Sequence, residues 1–259
     1  MGIKRKERQM SKLIILDVES YLYKASYACK ELHEVGDFIY QERYNLKNGI
    51  EYIDGVVKRL KKKLKAQDIV MVVGDNERNF RKELIPSYKG NRTQPRPLMY
   101  ELVLDYVLSK FEVVSLPTLE ADDVARIIYE DKKNYPMTEK VIVSIDKDFY
   151  TIPEVNFLRD LKEDSIVEHI NKETATYNLM KQTIMGDLTD GYNGIPLWGE
   201  AKTTKWLNEA KRSWADVLKL YQDNDLSADS YVANKTCAKL IGIESYDLEK
   251  GQVILNGKD

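Results

Sequence analysis

The chain has 259 residues, 43% of them apolar, which suits one α/β domain or one domain with a small appendage. Its 40 basic and 42 acidic side chains nearly cancel, so net charge alone does not indicate a nucleic-acid partner. Two distant cysteines, Cys29 and Cys237, argue against a disulfide framework. The chain has only two histidines, which argues against a structural zinc site. No apolar run reaches the ~18 residues of a membrane span, and the basic arm 1–11 lacks the apolar stretch of a secretory signal. We therefore expect a cytoplasmic protein with no membrane partner.

Short apolar runs alternate with helical patterns over residues 12–170, which predicts an α/β core with a central, mostly parallel sheet flanked by helices. The predicted strands are residues 12–16, 69–73, 111–115 and 140–145, with shorter peripheral ones at 155–158 and 166–169. The predicted helices are residues 20–32, 50–64, 98–110 and 121–129. Residues 171–259 carry only helical and loop patterns, so we expect a helical, DNA-binding subregion packed on the core.

Acidic residues follow the predicted strands at the points where they end. Because the carboxyl ends of parallel strands form the ligand crevice of an open sheet, these acids should converge. Converging carboxylates repel one another unless cations neutralise them, and their oxygens suit Mg²⁺ or Mn²⁺. Single acids of this kind can equally be helix caps or surface residues. The set comprises Asp17, Asp75, Glu120, Asp122, Asp123, Asp146 and Asp148, to which Asp187 and Asp190 could add two. Asp187 and Asp190 are three residues apart, so they share one helix face if their turn is helical.

A pair of divalent metals on such acids lowers the pKa of bound water and stabilises both oxygens of an in-line phosphoryl displacement. This chemistry needs no histidine, serine or cysteine. The sequence has neither a P-loop nor a dinucleotide-binding glycine turn, so a nucleotide cofactor has no support. The residues predict a metal-dependent phosphodiester hydrolase.

Residues 76–97 are strongly basic and begin directly after Asp75, so they should lie over the acidic crevice. Basic side chains bind phosphates and aromatic rings stack on bases, as in proteins that bind single strands. A solvated basic loop is the alternative interpretation, and for the basic run 58–65 a solvated helix face is favoured over a duplex contact. The basic residues of the segment are Arg78, Arg81, Lys82, Lys89, Arg92 and Arg96, with Phe80 and Tyr88 between them.

Five segments together carry a family resemblance: residues 16–17, 74–92, 119–124, 144–149 and 186–192. In this order they resemble the flap-endonuclease-like 5′–3′ nucleases, and more closely the stand-alone bacteriophage 5′–3′ exonucleases of that superfamily. The resemblance implies a basic helical arch, through which a single-stranded 5′ end threads, over an active site with two metal ions.

The resemblance also implies roles for individual residues. The first metal would be bound by Asp17, Asp75, Glu120 and Asp122 with Asp123 close by, and the second by Asp146, Asp148 and Asp190 with Asp187 in support. The scissile phosphate would be contacted by the catalytic residues Arg81, Lys89 and Arg92, and Tyr88 matches an aromatic of the same element that would bind DNA. From the basic segment itself, apart from the resemblance, we expect Arg78, Lys82 and Arg96 to bind DNA. A helix-hairpin of the family grips duplex DNA, often with a monovalent cation such as K⁺. Its counterparts here are Gly199 and Lys202, although Leu197 stands where a glycine is usual.

We therefore expect a Mg²⁺- or Mn²⁺-dependent 5′–3′ DNA exonuclease that also cuts 5′ flaps and RNA paired to DNA. Its expected setting is phage DNA replication or recombination. Two alternatives stay open: a processing ribonuclease of the PIN type with a related acidic core, and a catalytically silent protein that binds DNA ends.

Overall fold

The computed structural model describes residues 11–137 and 139–254, so the predicted basic arm lies outside the described residues except for its last member. A short 3-10 helix, Lys147–Thr151, follows the strand at Glu139–Ser144. The elements of the first part are β1 (Lys12–Asp17), α1 (Glu19–Ala28), β2 (Lys30–Gly36), β3 (Ile39–Tyr44), α2 (Leu46–Leu64), β4 (Asp68–Val72), α3 (Phe80–Leu84), α4 (Tyr100–Lys110), β5 (Val113–Val114), α5 (Ala121–Glu130), β6 (Glu139–Ser144), β7 (Val155–Arg159) and β8 (Glu168–Ile170).

The central sheet has six strands in the order β5-β4-β1-β6-β7-β8. All neighbouring strands are parallel except β7 and β8, which are antiparallel. The strand β1 lies between β4 and β6, so the chain leaves it first toward one edge of the sheet and later toward the other. Ligand crevices of open α/β sheets form at such a point, outside the carboxyl ends of the strands. The predicted α/β sheet is confirmed.

Both faces of the sheet are covered, as expected for parallel strands whose sequences are apolar throughout. Ile15 points to one face, where it belongs to a core that contains α5, and Ile14 and Leu16 point to the other, where α1, α2 and α4 pack. All three side chains are at most 1% exposed. The rigid core therefore fixes the position of Asp17, the last residue of β1.

Residues 30–44 form a projecting hairpin of β2 and β3, where the sequence pattern predicts the end of a helix at 20–32. The helix α1 instead ends at Ala28, and the dipeptide Gly36-Asp37 supplies a turn. At its tip Phe38 has a left-handed φ of 62° and is 89% exposed. The sequence pattern here is too short to distinguish two alternating strands from a helix, and the structure forms the strands.

The second part of the chain is mainly helical, as predicted, but it also contains two short ribbons that the sequence pattern misses. Its own apolar core includes Ile184, Trp198, Val217 and Tyr221. No helix within the described residues is long and apolar enough to cross a membrane. The elements are α6 (Lys172–Met185), β9 (Gly186–Asp187), β10 (Tyr192–Asn193), α7 (Glu200–Glu209), α8 (Trp214–Gln222), α9 (Ala228–Ala238), β11 (Tyr246–Asp247) and β12 (Gln252–Val253).

Candidate active site

The carboxyl ends of β1 and β6 bring a group of acids together. Asp17 ends β1, and its Oδ2 accepts a hydrogen bond of 2.7 Å from the Ser144 hydroxyl at the end of β6. The backbone N–H of Asp146 donates to the same hydroxyl oxygen at 3.1 Å. Ser144 therefore connects the two strand ends, and Asp122 of α5 lies close enough to feel the charges of Asp17 and Asp146.

Burial and mutual repulsion keep protons on several of these acids. Burial raises the pKa of Asp17 to about 7, with further contributions from the charges of Glu19 and Asp146. Burial and the charge of Asp146 likewise raise the pKa of Asp148 to about 7. For Asp122, burial and then the charges of Asp146 and Asp17 raise the pKa well above its ordinary value. If all of these acids were ionised, this edge of the sheet would carry more negative charge than the protein itself neutralises.

Asp123 and Arg81 form a buried ion pair apart from that group. The guanidinium donates to both oxygens of Asp123, from Nη1 at 2.6 Å and from Nη2 at 2.8 Å. It also donates to Glu120 Oε2 at 3.3 Å and to the carbonyl oxygens of Cys237 at 3.1 Å and Lys239 at 3.0 Å. All five N–H donors of Arg81 are therefore used within the protein.

The structure contradicts two predicted roles here. Arg81 is 1% exposed, so its guanidinium cannot reach a scissile phosphate. Asp123 is 0% exposed and also accepts the backbone N–H groups of Ile241 at 2.7 Å and Glu120 at 3.2 Å. Because these donors already occupy its oxygens, Asp123 caps α5 and neutralises Arg81 and is not a metal ligand in this arrangement.

The basic segment 76–97 does lie over the acids, as predicted, through Lys89 and Arg92. The ammonium of Lys89 donates to Glu120 Oε1 and lies 3.7 Å from Asp190 Oδ2. Arg92 Nη2 donates to Asp190 Oδ1 at 2.7 Å. Burial opposes the charge of Lys89, but the charges of Glu120 and Asp190 outweigh burial and raise its pKa, so Lys89 is a cation at neutral pH.

A glycine allows the basic segment to approach so closely. The backbone N–H of Lys89 donates to the carbonyl of Asp190 at 2.7 Å, and the Ser87 hydroxyl donates to the carbonyl of Gly191 at 3.0 Å. Gly191 has a φ of +75°, and a Cβ there would lie 2.5 Å from the carbonyl oxygen of Ser87. Any larger residue would push Lys89 away from the acids.

Tyr88 is not a stacking surface for bases, contrary to the prediction. Its side chain is 2% exposed and packs against Tyr192, with ring centroids 6.2 Å apart. The hydroxyl lies 2.8 Å from Glu120 Oε2 and 3.2 Å from Asp190 Oδ2 and donates into this pair of acids. Tyr88 therefore positions the carboxylates of the site.

Asp187 and Asp190 are joined by a tight turn between β9 and β10, so the predicted shared helix face is wrong. Asp187 Oδ1 accepts the backbone N–H groups of Thr189 at 2.8 Å and Asp190 at 3.3 Å. Its Oδ2 lies 3.1 Å from the ammonium of Lys147. Burial tends to raise the pKa of Asp187, but the hydrogen bond from Lys147 and these N–H groups lower it.

Asp75 is held by its own loop rather than by the acid group. Its Oδ1 accepts the backbone N–H of Glu77 at 2.9 Å, and its Oδ2 accepts that of Thr118 at 2.8 Å. Burial alone would raise the pKa of Asp75, but these N–H groups and Arg78, 3.5 Å away, lower it. Each carboxylate oxygen has two lone pairs, so Asp75 can accept these hydrogen bonds and still bind a cation, and its role as a ligand of the first metal stays a prediction.

The other residues predicted to bind DNA are exposed. Lys82 and Arg78 point to solvent from the basic segment, and Arg96 donates to Glu101 at 2.8 Å. Gly199 is the N-cap residue of α7, and the ammonium of Lys202 lies 4.1 Å above the ring of Trp198. Their roles in DNA binding stay predictions.

Sequence reasoning missed three supporting residues. Ser144 joins the two strand ends, Glu19 accepts the backbone N–H of Gly74 at 2.9 Å, and the Gln182 side chain donates to Asp148. Glu19 had a usable signal, because it follows Asp17 by two residues. Gln182 had none, since it reaches the site from the last turn of α6.

A family model described as 5′-3′ exonuclease, N-terminal resolvase-like domain, matches residues 12–180. The chain belongs to this 5′-3′ exonuclease family. Relatives include the exodeoxyribonuclease of enterobacteria phage T3, 40% identical over 126 residues, and the exonuclease of Escherichia phage T7, 39% identical over 126 residues. Both matches cover 47% of this chain but only 41% of the relative, so the chain spans about two fifths of the length of these proteins.

The fold of this family member also resembles a solved structure. The flap endonuclease of bacteriophage T5, in a complex with DNA and metal ions, superposes with a TM-score of 0.63 over 88% of this chain and 89% of that one. The two sequences are 16% identical, so the comparison shows a common fold. The predicted family and architecture are confirmed.

The side chains of this exonuclease-family site fit divalent cations by their chemistry. Asp17 is a buried carboxyl and Asp122 and Asp148 are half-buried ones, and burial first and neighbouring charges second raise their pKa values; nearby cations would offset both causes by stabilising the ionised forms. Within residues 11–137 and 139–254, no three donor side chains already surround one point as in a formed metal site. Binding of a metal would therefore draw these carboxylates closer together.

The raised pKa values predict how the stability of the metal-free protein depends on pH. Asp17 and Asp148 titrate near pH 7 in the folded state but near 3.8 when unfolded. The folded protein binds more protons between these values, so this contribution to stability is complete below about pH 4 and is lost as the pH rises through about 7. In EDTA, the melting temperature should fall between about pH 5 and about pH 8.

Thermal unfolding followed by circular dichroism would measure this fall. The control is Asp148→Asn, which is neutral at every pH and should flatten the profile. A melting temperature that rises over the same interval would contradict the predicted protonation.

Proposed function

We propose that this chain is a divalent-metal-dependent 5′–3′ DNA nuclease that hydrolyses phosphodiesters at 5′ ends and 5′ flaps, and RNA paired to DNA. The observation that carries the proposal is the placement of Lys89 and Arg92 directly over the acids at the strand ends. A basic segment alone would support binding, and acids alone would support a metal site. Together they support hydrolysis of a phosphodiester. The phage relatives support a role in DNA replication or recombination in the cytoplasm of an infected cell.

The acids divide into two groups that suit two ions, Mg²⁺ or Mn²⁺. One group lies at the end of β1 and the start of α5 and would use Asp17, Asp122 and Glu120, together with Asp75. The other lies after β6 and in the β9–β10 turn and would use Asp146, Asp148, Asp187 and Asp190. Bound divalent cations supply an activated water and charge stabilisation for the in-line displacement of a phosphoryl oxygen.

The side chains of this protein would contribute position and charge. Lys89 and Arg92 orient the phosphate, because both cations already face the acids from the opposite side. Tyr88 holds Glu120 and Asp190 in place through its hydroxyl, and Ser144 does the same for Asp17. The Arg81–Asp123 pair fixes the start of the basic segment to the core, and this helps to hold Lys89 in position.

The test is incubation of the protein with duplex and 5′-flap DNA that carries a label at either the 5′ or the 3′ end, with and without Mg²⁺. We expect Mg²⁺-dependent products that begin at the 5′ end, and separate cleavage at the base of the flap. Binding without cleavage would instead support a silent DNA-end-binding protein. Cleavage of single-stranded RNA in preference to flap DNA would support a ribonuclease.

Replacing Lys89 with alanine should slow the chemical step more than it weakens binding. A cation aimed at a phosphate that gains negative charge in the transition state is worth more there than in the ground state. We expect the single-turnover rate on flap DNA, at saturating enzyme, to fall by about 100-fold or more.

The matched control is Lys62→Ala, which removes the same charge from an exposed position of α2. This variant should cleave bound substrate at the rate of the parent protein. Equal single-turnover rates for Lys89→Ala and the parent would show that Lys89 only attracts DNA.

A further inference from the structure

A cavity of about 220 Å³ lies beside the acid group, between the 3-10 helix Lys147–Thr151 and the second half of α6. Its volume is below the ~300–1,000 Å³ of typical small-molecule sites, so it would admit a compact group rather than a whole nucleotide. The polar residues that line it include Lys147, Asp148, Thr151, Asn178, Lys181 and Gln182.

Two lysines converge on this cavity from different elements. Lys147 comes from the 3-10 helix, and its ammonium lies 3.1 Å from Asp187 Oδ2. Lys181 comes from α6, and its ammonium donates to Glu200 Oε1 at 2.6 Å. The hydrogen bond from Lys181 and the charges of both lysines lower the pKa of Glu200, which shows that both cations lie near the same carboxylate.

The remaining walls of the cavity are held in place by internal hydrogen bonds. The Asn178 amide donates to the carbonyl of Tyr150 at 3.2 Å, and the Thr151 hydroxyl donates to the carbonyl of Asp148 at 2.7 Å. Lys181 is held less firmly. Glu200 is 73% exposed, and exposed ion pairs of this kind contribute only ~0–1 kcal/mol. Another anion could therefore take the place of Glu200 readily.

We propose that Lys147 and Lys181 bind a backbone phosphate of the DNA strand, adjacent to the phosphate that is cleaved. This inference rests on the proposed function, because it assumes that a strand crosses the acid group. Lys89 faces Glu120 and Asp190, whereas the cavity includes Asp148 in its wall. A strand that contacts Lys89 and continues past Asp148 would bring another phosphate to the two lysines. In the absence of DNA, Lys181 pairs with Glu200 and Lys147 pairs with Asp187.

The test uses flap substrates that each carry one uncharged methylphosphonate linkage, moved stepwise through the strand around the cleavage position. Binding is measured in EDTA, so the readout does not depend on cleavage. For the parent protein, one linkage other than the scissile one should weaken binding by about 10-fold, since one good charge contact is worth about 1–3 kcal/mol. In Lys181→Ala the same linkage should weaken binding much less than in the parent protein, because one of the two lysines that contact this phosphate is already gone. Lys181→Arg should restore the sensitivity.

Two further variants sharpen the result. Lys172→Ala removes an exposed charge from the same helix about 13 Å along its axis, and it should keep the parent's sensitivity to that linkage. Glu200→Gln frees Lys181 from its ion pair and should tighten binding of unmodified DNA, which a purely structural role of Lys181 would not explain.

If the effects of Lys181→Ala and of the methylphosphonate simply add at every position, the proposal is wrong. Failure of the parent protein to cleave any DNA would count against the proposed function instead, and the binding series would still decide whether these lysines contact a phosphate.

Discussion

Asp148→Asn should reduce the rate of DNA cleavage by more than about 100-fold while DNA binding persists or becomes tighter. Changes in residues that merely support metal ligands reduce activity by ~10–100-fold, so the loss of a ligand itself should exceed that range. Binding is expected to survive because the change removes a negative charge that faces the phosphates. Asp146→Asn should behave in the same way, since both carboxyls follow β6 and lie close enough for the charge of Asp146 to raise the pKa of Asp148.

This result can be separated from a folding defect. Asparagine keeps the shape of Asp148 and removes a buried charge, so the metal-free variant should be at least as stable as the parent. The comparison variant is Asp105→Asn, an exposed acid of α4 that should cleave normally. Near-normal turnover of both Asp146→Asn and Asp148→Asn in Mg²⁺ would contradict the proposed two-metal site.

Arg81→Met should lower the free energy of unfolding by about 3–5 kcal/mol, the usual effect of removing one partner from a buried ion pair. The substitution leaves Asp123 charged in an environment where it is 0% exposed. It also removes the donors that satisfy the carbonyl oxygens of Cys237 and Lys239. Denaturant unfolding at equilibrium would measure the change.

The neighbouring exposed residue gives the control, because Lys82→Met should change the stability by less than about 0.5 kcal/mol. The double variant Arg81→Met with Asp123→Leu should be more stable than Arg81→Met alone, since no unpaired charge remains. A stable Arg81→Met protein that had lost only its affinity for DNA would instead support the phosphate contact that the family resemblance implies.

The sequence predicts the sheet and the convergence of acids well, because both depend on local patterns. Apolar runs mark the strands, and Asp17 and Asp146 follow strands whose ends the topology places side by side. The hairpin at 30–44 was missed because its alternation extends over only a few residues and competes with a helical period. Boundaries such as that of β5, two residues rather than five, depend on which neighbour each strand finds.

Which charged residues of the predicted site face the substrate side and which only support the structure was not predictable. Nothing in the segment 78–92 distinguishes Arg81, which is buried, from Arg92, which is exposed. That difference depends on residues 237–241, which supply carbonyl and N–H groups from more than 100 positions away. A pattern that considers only neighbours along the chain cannot contain this information.

The same long-range contacts have a consequence for the order of events during synthesis. The helices that carry Arg81 and Asp123, and the strands beside them, can form early, since domains begin to fold from the N-terminal end on the ribosome. Their hydrogen bonds are complete only when Cys237, Lys239 and Ile241 have arrived, 156 residues after Arg81 for the first of them. A nascent chain that stops before this point would hold a folded sheet but an unanchored basic segment. The segment that carries Lys89 would then not be held against the core until nearly all of the described chain had been translated.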